Sequence, residues 1–400
     1  MRRPRLIDPG TSGIRNEMAI MGVDPVGIDI MEGKARHHLI RLDEVDLKAA
    51  LILKQDMLSL GGEAALTRDA ACLRIRTTPV LLMGTSRQLR GLVSKLEGQP
   101  FKLGVISRSL NDLLDNIENG PRYFVRGKDL LSGGRKAVAG ILNVTEDSFS
   151  DGGMFFQRDL AVARGIEMAA QGADIIDVGG ESTRPGARPV SVGEEMDRVI
   201  PVIRELVAEG INCISVDTTK SEVAEKALQE GACIINDISA MTFDPEMVSV
   251  AAGSDASLIL MHTRGRPETM QEDLDYDDLM AEVCTHLEGA LDLAVGAGIP
   301  TERICLDPGI GFGKSLEQNL ELISRVGELK SLGAAVMVGA SRKSFIGRLT
   351  GAETENRMPG SIGAAVAAAL NGADIVRVHD VAETVQALAV VSGMRGLHNV

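Results

Sequence analysis

Aromatic side chains are scarce in this chain of 400 residues: they make up 2% of the sequence, and tryptophan is absent. A core built on stacked aromatic rings is therefore excluded. Hydrophobic residues still reach 44%, an ordinary value for a globular protein, so the core must be aliphatic. Aliphatic cores are typical of α/β proteins with buried parallel strands, and the length predicts two domains.

An excess of positive charge is also lacking, since 42 lysine and arginine residues stand against 56 aspartate and glutamate residues, for a net charge of −14. Nucleic-acid binding needs a basic face, so we expect no nucleic-acid partner. No apolar run reaches the roughly 18 residues of a membrane span, and no apolar segment follows the basic start of the chain. We therefore expect neither a membrane anchor nor a signal peptide.

Paired cysteine motifs are missing as well, because the five cysteines form no CxxC pair. Four of them lie within or beside apolar runs, a position typical of buried, reduced thiols. This pattern argues against a disulfide framework and predicts a cytoplasmic protein. The five residues are Cys72, Cys213, Cys233, Cys284 and Cys305.

The first 135 residues have the pattern of a smaller α/β domain. Apolar spacing predicts helices at 47–60, 86–96 and 110–117, and strands at 78–83 and 102–106. The run Ser132-Gly133-Gly134 is the predicted linker, so we expect the domain boundary between residues 135 and 136. No constellation of catalytic residues stands out in this part, and its role is left unassigned.

From Lys136 onward, apolar strand-like runs alternate with helical segments. Eight runs within about 265 residues match the size of a (β/α)₈ barrel. A doubly wound sheet is the alternative, although it more often uses five or six strands and a glycine-rich turn after the first. We therefore predict a TIM barrel at 136–400, preceded by the smaller α/β domain at 1–135. The predicted strands are 138–142, 175–178, 213–216, 233–235, 258–261, 304–306, 335–338 and 375–378.

Each predicted strand is followed by a polar or charged side chain. In a (β/α)₈ barrel these positions share one face, which holds the active site. A purely structural barrel would end its strands in whichever turn residues fit, so the pattern indicates a composite polar site. The strand-end residues include Asn143, Asp177, Asp217, Asn236, His262, Asp307, Lys343 and Arg377.

The strand-end residues fall into two chemical groups. Asp217, Asn236 and Asp307 offer acceptors that suit the N–H donors of a flat heterocycle. A cationic group suits an anion such as a diphosphate and consists of Arg184, Lys343, Arg377 and His379. Asn143 and the carboxylates of the loop after it offer the oxygen ligands that Mg²⁺ prefers.

Structural alternatives stay open for single residues. A lone aspartate at a strand end is more often a helix N-cap, but after Asp217 the next threonine and serine residues are alternative caps. Taken alone, His262 would be a structural histidine. The run 308–315 invites comparison with a phosphate-binding P-loop, yet it has Pro308 where that motif needs glycine.

Together, these blocks resemble dihydropteroate synthase. Residues 140–153 resemble the first signature of that family, and residues 177–186 resemble the second. The later blocks match in the same order at Asp217, 235–238, 260–262, 306–314, 338–344 and 377–379. The resemblance covers residues 136–391, and its one departure in the first signature is Glu146, where the family has proline.

The resemblance implies a role for each matched residue. The side chains expected around a pterin are Asp217, Asn236, Met261, Asp307, Phe312 and Lys343. Those expected at a diphosphate are Asn143, Arg377 and His379, with Asn143 also a ligand of Mg²⁺. Those expected around 4-aminobenzoate are Phe149, Thr183, Arg184, Pro185 and Ser344. The residues expected in catalysis are Asp147, Phe149, Arg184 and Lys343.

The implied reaction joins 6-hydroxymethyl-7,8-dihydropterin diphosphate to 4-aminobenzoate in folate synthesis, and releases diphosphate. Cleavage of the C–O bond builds negative charge on diphosphate, which Mg²⁺, Arg377 and His379 would stabilise. The resemblance also implies a homodimer. One alternative is a pterin-dependent methyltransferase, which needs no diphosphate site. Another is a degenerate barrel that only binds a partner, which predicts missing strand-end residues.

Overall fold

The computed structural model describes residues 4–5, 7, 13–145, 154–183 and 186–396, and the side chains in these ranges except those of 154–157 and 395–396. The chain forms two compact units: the first comprises Met1–Asn119 together with Gly393–Val400, and the second comprises Gly120–Ser392. Each unit contains a hydrophobic core of its own.

The N-terminal unit is built on a three-stranded antiparallel sheet. Its strands are β1 (His37–Asp46), β2 (Glu63–Leu66) and β3 (Thr77–Thr85). Strand β3 lies between the other two. The helices are α1 (Ile14–Ile20), α2 (Pro25–Ala35), α3 (Leu47–Ser59), α4 (Arg68–Ala71), α5 (Ser86–Leu96) and α6 (Leu103–Asn119). The buried core joins Leu82 of β3 to Leu53 of α3, Leu92 of α5 and Leu110 of α6.

Local sequence accounts for part of this unit. Helix α5 begins at a capping box between Thr85 and Gln88, and α3, α5 and β3 confirm the predictions at 47–60, 86–96 and 78–83. The predicted strand at 102–106 is wrong, because these residues begin helix α6, which contains the predicted helix at 110–117. Ser107 Oγ donates to the Val93 carbonyl (2.8 Å), which fixes α6 against α5.

Residues 120–135 pack with the barrel unit. They contain the short paired strands β4 (Phe124–Val125) and β5 (Lys128–Asp129). Tyr123 is fully buried, and its hydroxyl donates to the Leu258 carbonyl (3.3 Å) of a barrel strand. Val125, Leu130 and Leu131 share the same core cluster. The division between the units thus lies at 119/120, earlier than the 135/136 expected from the linker-like run.

The second unit is a closed barrel of parallel strands in chain order, in which the eighth strand pairs with the first. The strands are β6 (Ala137–Asn143), β7 (Ile175–Gly179), β8 (Ile214–Asp217), β9 (Ile234–Asp237), β10 (Ser257–Met261), β11 (Ile304–Asp307), β12 (Ala335–Val338) and β13 (Ile375–Val378). They coincide with the eight predicted runs, so the TIM barrel is confirmed and the doubly wound sheet is wrong. Almost all of their residues are buried, as aliphatic parallel strands require.

Helices follow the strands around the outside of the barrel. They are α7 (Met154–Ala170), α8 (Val192–Ala208), α9 (Ser221–Gln229), α10 (Met247–Ala252), α11 (Leu279–Gly296), α12 (Leu316–Arg325), α13 (Ser344–Thr350), α14 (Met358–Asn371) and α15 (Val381–Gly396). Capping boxes at Ser191 and Ser315 begin α8 and α12. Among the helices that the structure describes, none combines the length and the apolar character needed to cross a bilayer.

Candidate active site

A narrow cavity of about 20 Å³ opens at the carboxyl end of the barrel. All six residues predicted around a pterin line it, together with Thr183 and Arg377. A larger open groove lies along α9 and α10, but it contains none of the strand-end residues. We therefore assign the site to the smaller cavity. Its remaining lining residues are Ile238, Met337 and Gly339.

Strand register explains why residues far apart in sequence meet here. Asp217 of β8 is the direct partner of Asn236 of β9, and Met261 of β10 is the partner of Asp307 of β11. Parallel strands present the carboxyl ends of all eight strands at one rim. A polar residue placed at the end of a strand therefore reaches the same cavity whatever its position in the chain.

Arg377 is held between two carboxylates in the cavity. Its Nε donates to Asp177 Oδ2 and its Nη2 donates to Asp217 Oδ2, each at 2.6 Å. Burial opposes the charge of the guanidinium, but the two carboxylates outweigh that effect and raise the pKa of Arg377. Arg377, which the sequence assigns to a diphosphate, is thus paired in this structure with Asp217, which the sequence assigns to the pterin.

Asp177 is the residue that the sequence-based assignment of roles overlooks. It is 1% exposed, and its Oδ2 accepts from both Arg377 and the Nδ2 of Asn236 (3.1 Å). Its other oxygen, Oδ1, has no hydrogen-bond partner within the described part of the chain. One carboxylate thus orients two cavity residues, a role that its position at the end of β7 indicates only in part.

The carboxylate of Asp217 does not cap the helix that follows it. The backbone N–H of Ser221, at the start of α9, donates instead to Asp244 Oδ2 (2.7 Å), from the loop after β9. Burial is the main cause that raises the pKa of Asp217 to about 7, and Arg377 opposes the rise. Asp217 therefore titrates near neutral pH and keeps its carboxylate for the cavity.

Asp307 and Lys343 carry opposite charges in the cavity and influence each other electrostatically, but each is held by backbone groups. Asp307 Oδ1 accepts from the backbone N–H of Gly309 (2.7 Å), and burial raises the pKa of Asp307. The Lys343 ammonium donates to the Ile310 carbonyl and lies 4.7 Å from the centre of the Phe312 ring. Burial is also the main cause that lowers the pKa of Lys343 to about 8.

Lys314 fixes the loop that carries Phe312 through hydrogen bonds. This buried ammonium donates to the Phe312 carbonyl (2.8 Å) and to Nδ1 of His262 (3.0 Å). Burial lowers the pKa of Lys314 to about 7 and that of His262 well below its usual range. His262 is therefore a structural histidine. The P-loop comparison fails because the ammonium of Lys314 is buried in contacts with His262 and the Phe312 carbonyl.

The residues predicted at a diphosphate lie on neighbouring strands, since β13 pairs with β6. Asn143 ends β6, and His379 follows β13 with its Nδ1 hydrogen-bonded to Ser341 Oγ (3.0 Å). Arg342, from the loop after β12, is engaged elsewhere: its guanidinium donates to both oxygens of Asp380 (3.2 and 2.5 Å). Of the predicted cationic group, Lys343 and Arg377 line the cavity.

Part of the predicted aminobenzoate and catalytic set lies outside the described residues. This applies to Asp147, Phe149, Arg184 and Pro185, and Glu146 of the first signature lies outside them as well. Ser344, at the start of α13, is exposed, whereas Thr183 lines the cavity. For metal binding, the described ranges contain no group of three or more His, Cys, Asp or Glu residues placed to hold an ion. Asn143 remains the described oxygen donor that the sequence assigned to Mg²⁺.

The comparison with known proteins agrees with this geometry. The family model described as "Pterin binding enzyme" matches residues 139–379. The dihydropteroate synthase of Synechocystis sp. is 48% identical over 287 residues, which are 70% of this chain and 99% of that protein. A Xanthomonas albilineans dihydropteroate synthase solved with 4-aminobenzoic acid is 45% identical, with a TM-score of 0.64 over 69% of this chain and 98% of that one.

A second relative includes the N-terminal unit. The probable bifunctional folylpolyglutamate synthase/dihydropteroate synthase of Halobacterium salinarum is 43% identical over 378 residues. The matched residues cover 93% of this chain but only 45% of the Halobacterium salinarum protein. The chain therefore spans less than half of that relative, whereas it spans nearly all of the Synechocystis sp. enzyme. The barrel match and the strand-end residues lead to one conclusion: the chain belongs to the pterin-binding enzymes and, among them, to the dihydropteroate synthase family.

Proposed function

We propose that the chain condenses 6-hydroxymethyl-7,8-dihydropterin diphosphate with 4-aminobenzoate, giving 7,8-dihydropteroate and diphosphate. The observation that carries this proposal is the single cavity that contains all six residues expected around a pterin. In the reaction, the C–O bond to diphosphate breaks and the amino nitrogen of aminobenzoate forms a bond to the methylene carbon. That nitrogen then loses a proton to solvent.

The pterin is proposed to lie between the side chains of Met261 and Phe312, which belong to one apolar cluster. Asp217 and Asp307 would accept hydrogen bonds from the ring N–H groups and stabilise the positive charge that develops on the methylene. Asn236 would accept through Oδ1, because its Nδ2 already donates to Asp177.

The diphosphate is proposed to bind Asn143, Arg377 and His379. Arg377 now contacts Asp217, so binding requires an exchange of partners. When pterin N–H groups occupy Asp217, the guanidinium is free to turn to diphosphate while Asp177 continues to hold Nε. The exchange would link pterin recognition to stabilisation of the leaving group.

Mg²⁺ is proposed to accompany the diphosphate, with Asn143 as its protein ligand. An ion of this kind usually keeps several waters and binds through one or two protein groups plus substrate phosphates, which fits a single strand-end amide. When bound, it would neutralise charge on the leaving diphosphate. For 4-aminobenzoate, the proposed site comprises Phe149, Thr183, Arg184, Pro185 and Ser344, and the proposed catalytic residues are Asp147, Phe149, Arg184 and Lys343.

The assay for this proposal is incubation of the protein with pterin diphosphate, Mg²⁺ and 4-aminobenzoate. We expect diphosphate release that depends on aminobenzoate, with dihydropteroate identified by mass spectrometry. Methyl transfer to a corrinoid, with no diphosphate released, would favour the methyltransferase alternative. The proposed homodimer is checked separately by light scattering, which should report twice the chain mass of 42.5 kDa.

A further inference from the structure

A partly buried ion-pair cluster lies beside the cavity, in the segment that follows β7. Its centre is Lys220, three residues after Asp217, whose ammonium donates to Oε2 of Glu181 and to Oε2 of Glu195. Burial opposes the charge of Lys220, but the two carboxylates outweigh it and raise the pKa of the lysine. The cluster therefore joins the segment after β7 to helix α8 and to the segment after β8.

Glu195 makes this cluster unusual. Its side chain is fully buried in α8, and its Oε1 has no partner among the described residues. A buried carboxylate is strongly destabilising unless it is paired, and a hydrophobic residue would fill the same space at lower cost. Two acids that share one lysine at this point therefore call for a role other than stability.

The same short segment is held at two further points. A Cβ at Gly180 would come within 2.7 Å of the Val199 side chain, so glycine allows the backbone to lie against α8. Arg198 Nη1, from the same helix, donates to the Gly180 carbonyl (3.0 Å). Glu181 follows directly, and Thr183, two residues later, lines the cavity. The position of Thr183 is thus set by contacts outside the cavity.

We propose that Lys220 is a positioning residue for the 4-aminobenzoate subsite, because it bridges Glu181 and Glu195 and so fixes the backbone that presents Thr183. This inference rests on the proposed function. The pterin side depends less on the bridge, because Asp217 ends strand β8 and is fixed by the pairing of that strand with β9. Loss of the bridge should therefore raise the KM for 4-aminobenzoate more than the KM for pterin diphosphate.

The test compares wild type, Lys220→Met and the matched control Lys226→Met, at about pH 8.5, where Asp217 is ionised. Lys226 lies on the neighbouring helix and is partly exposed in an ion pair with Glu230 (2.9 Å). We expect Lys220→Met to raise the KM for 4-aminobenzoate about tenfold, with the KM for pterin diphosphate changed less than about twofold. Lys226→Met should match wild type in both constants.

A second variant covers the case in which the buried, unpaired carboxylate of Glu195 prevents folding. Lys220→Met combined with Glu195→Gln removes one charge of each sign, and we expect it to fold and to show the same selective rise in KM. Lys220→Arg, which can still bridge two carboxylates, should restore the wild-type value. Unchanged KM values in the folded double variant, or equal rises for both substrates, overturn the inference alone. A wild-type protein without turnover overturns the proposed function and this inference with it.

Discussion

The two units of the chain treat buried polar groups differently. In the described part of the N-terminal unit, the buried polar side chains are hydroxyls, namely Thr78, Ser86 and Ser107. Each has a hydrogen-bond partner within the unit: Thr78 donates to the Pro79 carbonyl, Ser86 is hydrogen-bonded to His38, and Ser107 donates to the Val93 carbonyl. The barrel unit instead buries charged residues, which include Asp177, Glu195, Asp307 and Lys314.

The buried hydroxyls of the N-terminal unit serve to stabilise a fold, whereas the buried charges at the strand ends of the barrel serve a site. Hydroxyls that are hydrogen-bonded within their own unit can be buried at little cost. Buried charges cost more than the apolar residues that could replace them, and two of those in the barrel, Asp177 and Glu195, retain oxygens without partners in the described structure. Asp177 and Asp307 lie near the carboxyl ends of their strands, where a polar ligand would meet them. Lys136 and Asp374, which are also buried, lie at the opposite end of the strands and satisfy each other in an ion pair (3.1 Å).

The largest expected effect is the difference in stability between two truncated chains that begin on either side of residues 120–135. A chain that begins at Gly120 should keep a folded barrel, whereas one that begins at Lys136 loses Tyr123, Val125, Leu130 and Leu131 from its core. Burial of such side chains contributes about 1.5–3 kcal/mol each, so the shorter chain should be less stable by roughly 5 kcal/mol or more. Urea unfolding of both chains measures the difference, and equal midpoints would contradict the assigned boundary.

The next effect concerns the pH dependence of stability. The pKa of Asp217 is about 7 in the folded chain, above its ordinary value of 3.8. Between these values the folded state binds more protons, so the contribution of Asp217 to stability is present at low pH and is lost as the pH rises to about 7. The difference in unfolding free energy between wild type and Asp217→Asn should fall across this range by at most about 4 kcal/mol. A difference that stays constant with pH would count against burial of this acid.

The smallest effect belongs to the N-terminal unit. Thr85→Ala removes the N-cap of α5 and should lower the unfolding free energy by about 1 kcal/mol, as caps usually do. Turnover at saturating substrate should stay at the wild-type level, because Thr85 lies in the unit whose described residues include no buried charged side chain. A drop in kcat without a matching loss of folded protein would link this unit to catalysis.

Much of the barrel could be predicted from the sequence because its strands are short, continuous aliphatic runs. The site followed from the same pattern, since parallel strands bring residues such as Asp217 and Asp307 to one rim. Strand β1 escaped prediction because charged residues interrupt its apolar pattern, and β2 because it has only four residues. The segment 102–106 was misassigned because five apolar-rich residues do not distinguish a strand from the first turn of a helix.

Long-range partners account for the rest of what the sequence could not show. The Asp244 contact that caps α9 and the Asp177 contact that orients Arg377 join residues 23 and 200 positions apart. The core role of Tyr123 likewise depends on Leu258, 135 positions later. No local pattern carries such information, and it appears only when the strands are assembled.

Two arginines that each bridge a pair of acids allow a direct test of the central claim. Arg377 joins Asp177 to Asp217 in the barrel, and Arg90 joins Asp115 to Glu118 in the N-terminal unit. Arg377→Ala should lower kcat/KM for pterin diphosphate. The loss of transition-state stabilisation that corresponds to this fall should be about 2–4 kcal/mol. Arg90→Ala should leave kcat/KM unchanged and cost at most about 1 kcal/mol of stability. An Arg377→Ala enzyme within about threefold of wild type would contradict the assignment of the strand-end charges to catalysis.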